Sequence, residues 1–263
     1  MKTMLSYVSS HLKGGLGNYL FQIVAAYSIS RRDNKELKID ISDIEIIHSP
    51  LELYLNNIFK NIPFGVVNNF EFTHDSNHSP IGFTNIPVIN GNLKLDGYYQ
   101  NEKYFKKYRE EILNLFKIDE DTKNYLLEKY STVTFENTCS IHVRRGNYVD
   151  RQHFHPLQTI DYYKKSISII GEETLFLIFS DDIDWCVDNL DFIKNKKFIN
   201  GNLDFQDLYL MSMCKDNIIA NSTFSWWGAW LNNNNYKKII YPSFWFNNGP
   251  DSSEIGGENW IKI

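Results

Sequence analysis

From residue 139 to residue 241, short runs of strand-forming residues alternate with longer segments whose apolar residues recur at helical spacing. Residues 139–143, 174–179, 198–199, 217–220 and 238–241 read as strands, and 159–170, 182–190, 205–214 and 223–231 as helices. A strand that returns to its sheet through a helix runs parallel to its predecessor, so the pattern predicts βαβ units with right-handed crossovers. In such sheets ligands bind beyond the carboxyl ends of the strands.

The first half of the chain reads less regularly. Residues 4–9 form a first strand, Lys13-Gly14-Gly15-Leu16-Gly17-Asn18 a glycine-rich turn, and Leu20, Phe21, Val24, Ala25 and Tyr27 the apolar face of a helix that stops at Arg31-Arg32-Asp33-Asn34. Such a unit aims backbone N–H groups and a positive helix end at whatever lies above the turn. The glycine spacing matches neither the dinucleotide fingerprint nor the P-loop. A second strand is expected over 37–41, a third over 93–100, and helices over 102–116 and 119–130, while 49–91 shows no clear period. The passage from helices to strand at 130–137 divides the chain into a domain of residues 1–135 and one of 136–263.

The chemistry-bearing residues of the second half fall where its strands end. His142, Arg144 and Arg145 close the first strand in Ser140-Ile141-His142-Val143-Arg144-Arg145-Gly146-Asn147-Tyr148, Ser180-Asp181-Asp182 the next, and Asn221-Ser222-Thr223 the strand of 217–220. Strand alternation puts His142 and Arg144 on one face and Arg145 on the other. A guanidinium fork suits phosphate oxygens. Ser222 or Thr223 can cap the following helix or help hold an anion, and Asp181 and Asp182 can cap a helix or accept from ribose hydroxyls or a base. Two arginines, hydroxyls at a helix start and carboxylates on one rim suit a nucleoside diphosphate. Trp226, Trp227 and Trp230 offer either core packing or a sugar-stacking platform, and helical spacing favours packing.

Other classes are disfavoured. Lys+Arg 27 against Asp+Glu 32 argues against an extensive nucleic-acid groove. Cys139, Cys186 and Cys214 lack the paired spacing of a disulfide framework or zinc site, as in a protein of a reducing compartment. No signal peptide or bilayer-length apolar run is visible, so a cytoplasmic protein is expected. Lys103, Lys106 and Lys107 leave peripheral contact with anionic lipid open. No His/Asp/Glu/Cys cluster has metal-ligand spacing and no glycine-flanked serine suggests a hydrolase elbow.

Taken in order, Gly14-Gly15-Leu16-Gly17-Asn18 with Leu20-Phe21-Gln22, His142-Val143-Arg144-Arg145-Gly146-Asn147-Tyr148, Phe179-Ser180-Asp181-Asp182 and Ala220-Asn221-Ser222-Thr223-Phe224-Ser225-Trp226-Trp227-Gly228-Ala229-Trp230-Leu231 resemble the motifs of the bacterial α-1,2-fucosyltransferases. One departure is Asn147, where many members carry aspartate. The resemblance implies an α/β, GT-B-like architecture of two Rossmann-like domains facing a cleft, with the nucleotide on the C-terminal one. It implies inverting transfer of L-fucose from GDP-β-L-fucose to the 2-hydroxyl of a terminal β-galactoside, on an oligosaccharide or a lipid-linked glycan such as an O-antigen, without cofactor or obligatory metal. By position, Arg144 and His142 serve the leaving diphosphate, Arg145, Ser222 and Thr223 assist, and Asp181 belongs to the donor site. Asp207 accepts from the guanine N1 and N2 hydrogens, and Gly17 and Asn18 bring the first domain's loop to the donor. The proton acceptor is not identified, with His155, Asp150 and Asp40 as candidates. Two rivals are transfer of another GDP-sugar or to another hydroxyl, and nucleotide-sugar or glycan binding without turnover.

Overall fold

The computed structural model describes residues 6–42, 44–45 and 50–263. It contains two compact units, one of residues 1–117 with 250–255 and one of 118–249 with 256–263.

In the first unit β1 (Tyr7–Ser10) leads through the glycine turn into α1 (Leu16–Asp33). The strand expected over 4–9 is this one; Met4 and Leu5 lie outside the described residues. Gly14 sits at φ +91 with its Cα packed against the Asn18 amide, and a side chain there would be both strained and blocked. Helix α1 is buried along most of its length and stops at Asn34, whose left-handed backbone returns its N–H to the Ser30 carbonyl while Arg31 and Arg32 face the negative helix end. Where one strand was expected over 37–41 there are two, β2 (Glu36–Leu37) and β3 (Ile39–Asp40). The chain changes sheets at Lys38: β2 pairs with β1, and β3 pairs with β4 (Phe64–Gly65) beyond the short helix α2 (Leu51–Leu55).

The edge strand β5 (Phe72–Asp75) and the central β6 (Leu93–Asp96) complete an all-parallel sheet of order β2-β1-β6-β5. The helix expected over 102–116 is broken: two single 3-10 turns precede α3 (Arg109–Leu115), with Phe105 at φ −140 between them. Tyr104 and Phe105 are both buried. Segment 250–255 joins this unit, where Glu254 accepts from Asn101 at 2.8 Å and Lys103 at 2.5 Å. Lys103 is therefore engaged in an ion pair.

The second unit begins with α4 (Glu120–Lys129) and continues with β7 (Thr138–Val143), α5 (Ile160–Ile170), β8 (Leu175–Ser180), α6 (Ile183–Asn189), β9 (Lys196–Phe198), α7 (Asp204–Met213), β10 (Asp216–Ile218), α8 (Thr223–Trp230), β11 (Ile239–Tyr241) and β12 (Ile261–Lys262). All six strands are parallel, in the order β12-β11-β10-β7-β8-β9. The α/β reading of the sequence holds; β12 was not foreseen. Helix α4 packs on α7, which draws the unit boundary to 117/118, upstream of the expected 135/136.

The central strand β7 is buried on both faces, as a parallel strand covered by helices must be. Cys139, Ile141 and Val143 join Tyr162, Tyr163 and Ile167 of α5 and Cys186 of α6 in one core. Ser140 points the other way and accepts from Asn217 at 2.7 Å. Trp226, Trp227 and Trp230 are 2% exposed or less, with Trp226 5.2 Å from Trp260 and Trp227 5.1 Å from Trp230. They are core, not a sugar platform. The three cysteines are buried and unpaired, and burial pushes the Cys186 thiol up to about 11. No helix among the described residues is long and apolar enough to cross a membrane.

Candidate functional site

The strands β10, β7 and β8 lie side by side, so the loops leaving their carboxyl ends meet on one rim of the second unit. Register decides which residues meet. β7 and β8 run in step, with His142 opposite Phe179 and Val143 opposite Ser180. One residue further, Arg144 faces Asp181, with Nη1 2.5 Å from Oδ2, and one further still Arg145 faces Asp182, with Nε 2.9 Å from Oδ2. The N–H of Arg145 also donates to Asp181 Oδ1 at 2.8 Å.

The two arginines differ as alternation predicts. Arg145 lies toward α6, its guanidinium 4.1 Å from the centre of the Trp185 ring. Its partner Asp182 caps α6 by accepting from the Trp185 N–H at 3.2 Å, and the hydrogen bond from Arg145 lowers the Asp182 carboxyl below its ordinary value. Arg145 is thus tied into a helix start. Arg144 lies on the His142 face, half-buried, donating from Nη2 to Asn147 Oδ1 at 2.6 Å, with its guanidinium 5.0 Å from the centre of the Tyr148 ring. Tyr148 in turn donates to the Asn221 carbonyl at 3.2 Å and stacks on His155, ring centres 4.2 Å apart.

His142 is buried, 5.7 Å ring to ring from Phe224, and its Nδ1 has no hydrogen-bond partner. Burial first, and the Arg144 charge second, push its pKa down to about 3. Burial followed by Arg151 and Arg144 pushes His155 down to about 4. Both rings are neutral at physiological pH. Ser222 occupies the N-cap of α8, yet its hydroxyl makes no capping hydrogen bond and it leaves the first-turn N–H groups of Thr223, Phe224 and Ser225 uncapped by its side chain. The simple capping reading of Ser222 is therefore not what the helix shows. By contrast Asn221 is structural, its amide shared among Pro156, Trp245 and Gln158.

Asp207, on the first turn of α7, belongs to its own network. Asn202 Nδ2 donates to Asp207 Oδ1 and to Tyr130 Oη, both at 2.8 Å, and Lys129 Nζ fixes the Asn202 oxygen at 2.5 Å. Burial pushes the Asp207 carboxyl up to about 6 despite the Asn202 hydrogen bond. Gly17 and Asn18 lie in the first unit, in the first turn of α1, where Asn18 Oδ1 accepts from Gln100 at 3.0 Å. Of the three candidate bases, Asp40 is buried and accepts from the Ser42 N–H and hydroxyl, Asp150 is exposed after β7, and His155 is the imidazole under Tyr148. Sequence reasoning assigned no task to Tyr148, Gly146 or Asn202. The first two stand within the arginine motif itself, whereas nothing local in the sequence marks Asn202.

Residues 82–263 match the family described as glycosyl transferase family 11. An alpha-1,2-colitosyltransferase of Escherichia coli is 32% identical, covering 98% of this chain and 99% of its own length. The O-antigen biosynthesis glycosyltransferase WbnK of Escherichia coli is 32% identical over 97% of this chain and 99% of its own. Among solved structures, the NodZ alpha-1,6-fucosyltransferase co-crystallised with GDP superposes over 86% of this chain and 92% of its own with a TM-score of 0.58, at 13% identity.

Proposed function

The chain belongs to glycosyl transferase family 11, and from that premise we propose that it is an inverting, metal-independent transferase moving L-fucose from GDP-β-L-fucose to the 2-hydroxyl of a terminal β-galactoside. The observation that carries this reading is the rim at β7: Arg144, the buried neutral His142 and the start of α8, whose first-turn N–H groups the Ser222 side chain leaves uncapped, gather at the carboxyl ends of adjacent strands. That combination suits a diphosphate. The α-1,6-fucosyltransferase with the same fold was crystallised with GDP, and one relative is named for O-antigen biosynthesis, which supports a glycan acceptor. In this reading the chain adopts the GT-B plan and works in the cytoplasm on an oligosaccharide or lipid-linked glycan.

The bond from fucose C1 to the GDP oxygen breaks with its electron pair leaving on GDP. The acceptor oxygen bonds to C1 from the opposite face and gives up its proton to a base or to water. Negative charge grows on the diphosphate as fucose becomes oxocarbenium-like, so Arg144 stabilises the transition state more than the ground state. His142, Ser222 and Thr223 assist there, whereas Arg145, expected to help, is held by Asp182 and the Trp185 ring on the other face; Asp207 reads guanine, and Gly17 and Asn18 serve the donor site. A GDP-release assay with lactose over a panel of nucleotide sugars tests the reading. We expect acceptor-dependent release with GDP-fucose. Release with GDP-mannose alone would overturn the donor, and binding of GDP-fucose without acceptor-dependent release would make this a binding protein. One relative's name favours a second reading, a colitosyl donor, so GDP-colitose belongs in the panel.

Two further results are expected. Turnover should be the same with and without EDTA, since a guanidinium replaces the metal ion at the leaving group; loss in EDTA with recovery on adding manganese would contradict that. GDP affinity should fall as pH drops through about 6. Asp207 must be ionised to accept from guanine N–H groups, and in the free protein burial holds its pKa at about 6. The sign for folding is opposite: a raised acid pKa costs stability above that pH, and the cost is relieved as pH falls toward the unfolded value. Nucleotide phosphate also titrates near this range, so the decisive comparison is Asp207→Asn by calorimetry. The variant should bind GDP about 1–3 kcal/mol more weakly near neutral pH and lose the extra pH slope; wild-type affinity would show Asp207 to be uninvolved.

A further inference from the structure

Asp181 was expected to touch the nucleotide, but its carboxylate is already engaged by three consecutive residues of the neighbouring loop. Arg144 Nη1 lies 2.5 Å from Oδ2, and the Arg145 N–H donates to Oδ1 at 2.8 Å. The third residue contributes by what it lacks: a Cβ on Gly146 would stand 2.3 Å from Asp181 Oδ2, and Gly146 sits at φ +21, where side chains are rarely tolerated. A side chain at 146 would evict the carboxylate. The strand register that sets Val143 opposite Ser180 places Asp181 in this seat.

The consequence falls on Arg144. Asp181 holds one terminal nitrogen of the guanidinium and Asn147 the other, at 2.6 Å, with the centre of the Tyr148 ring 5.0 Å from the guanidinium carbon. A guanidinium has five N–H donors, and its bonds to Asp181, Asn147 and the Tyr148 hydroxyl leave donors over for a ligand. The side chain is held in one plane with donors to spare, the condition for a bidentate grip that costs little ordering when charge develops. We infer that Asp181 is a positioning residue that fixes the plane of Arg144 for the departing diphosphate, and that residue 146 is glycine to leave room for that carboxylate. This rests on the reading of Arg144 as the diphosphate ligand.

The alternative, a bystander carboxylate, predicts a different sign. A negative charge beside an anion site weakens anion binding, so removing a bystander would tighten GDP and leave the chemical step unchanged. A positioning carboxylate slows the chemical step when it is lost, even though the site has become more positive. Asp181→Asn keeps the shape and removes the charge. Single-turnover transfer, which product release does not affect, should fall tenfold or more, with the melting temperature within a few degrees of wild type.

Gly146→Ala alters no charge, yet it should produce the same loss by displacing Asp181. Because both variants act on one contact, the double variant should be no slower than the slower single one. A single-turnover rate for Asp181→Asn within threefold of wild type overturns the inference, as does a double variant whose loss is the product of the two single losses. If Gly146→Ala does not fold, Asp181→Asn decides alone. A wild-type protein inactive with every donor removes the functional reading and this inference with it, whereas an active wild type with an unimpaired Asp181→Asn removes only the inference.

Discussion

Replacing Arg144 by lysine should lower the turnover number by about two orders of magnitude, the loss seen when one preorganised donor at a developing charge is removed. Lysine keeps the charge, so this variant separates charge from geometry. A surface ion pair is worth roughly 0–1 kcal/mol, and were Arg144 only the partner of Asp181, lysine would serve nearly as well. An ammonium cannot bridge Asp181 and Asn147 and still present parallel donors to a diphosphate. The melting temperature should stay near wild type. Arg145→Lys is the control: its guanidinium is committed to Asp182 and the Trp185 ring on the opposite face, and its kinetic loss should be milder. A folded Arg144→Lys enzyme with near-normal turnover, or a larger loss at Arg145, would show that the diphosphate lies elsewhere.

Trp226→Ala should cost about 3–5 kcal/mol of stability, the usual range for truncating a buried large aromatic. That is a large share of the roughly 5–15 kcal/mol by which a domain is stable. Trp226 is 1% exposed and packs on Trp227, Trp230 and Trp260. The helix carrying it lies close to α7, where a Cβ on Gly228 would come within 2.9 Å of Met211, so the vacated space cannot readily collapse. The denaturation midpoint should drop without a change in slope. Loss of activity at an unchanged midpoint would instead restore the sugar-platform reading.

Some of this was legible residue by residue. The strands β8 and β11 could be read because a parallel strand covered on both faces is a short apolar run, and Phe176 to Phe179 and Ile239 to Tyr241 are such runs. Residues 50–91 could not be read, because β4 is two residues long and β5 is an edge strand that is mostly exposed on both faces. Such segments acquire strand geometry from the neighbour they pair with, and their own side chains carry no period. The break at Phe105 was hidden as well: helical spacing of apolar residues shows that a segment is amphipathic, and the two short 3-10 turns that carry the buried Tyr104 and Phe105 leave that spacing in place.

At the site, the sequence by itself determined which residues end each strand and to which face they point, so His142 and Arg144 on one side and Arg145 on the other follow from a two-residue period. It also determined the family through its ordered motifs. Tertiary structure alone decided that Arg144 meets Asp181, that Arg145 meets Asp182, and that Gly146 makes room for the first of these carboxylates. Asp181 lies 36 residues beyond the Arg145 N–H that binds it. A chain records the period of each strand locally, but which strands become neighbours, and in what register, depends on how the helices between them pack, and that is a property of the whole sheet.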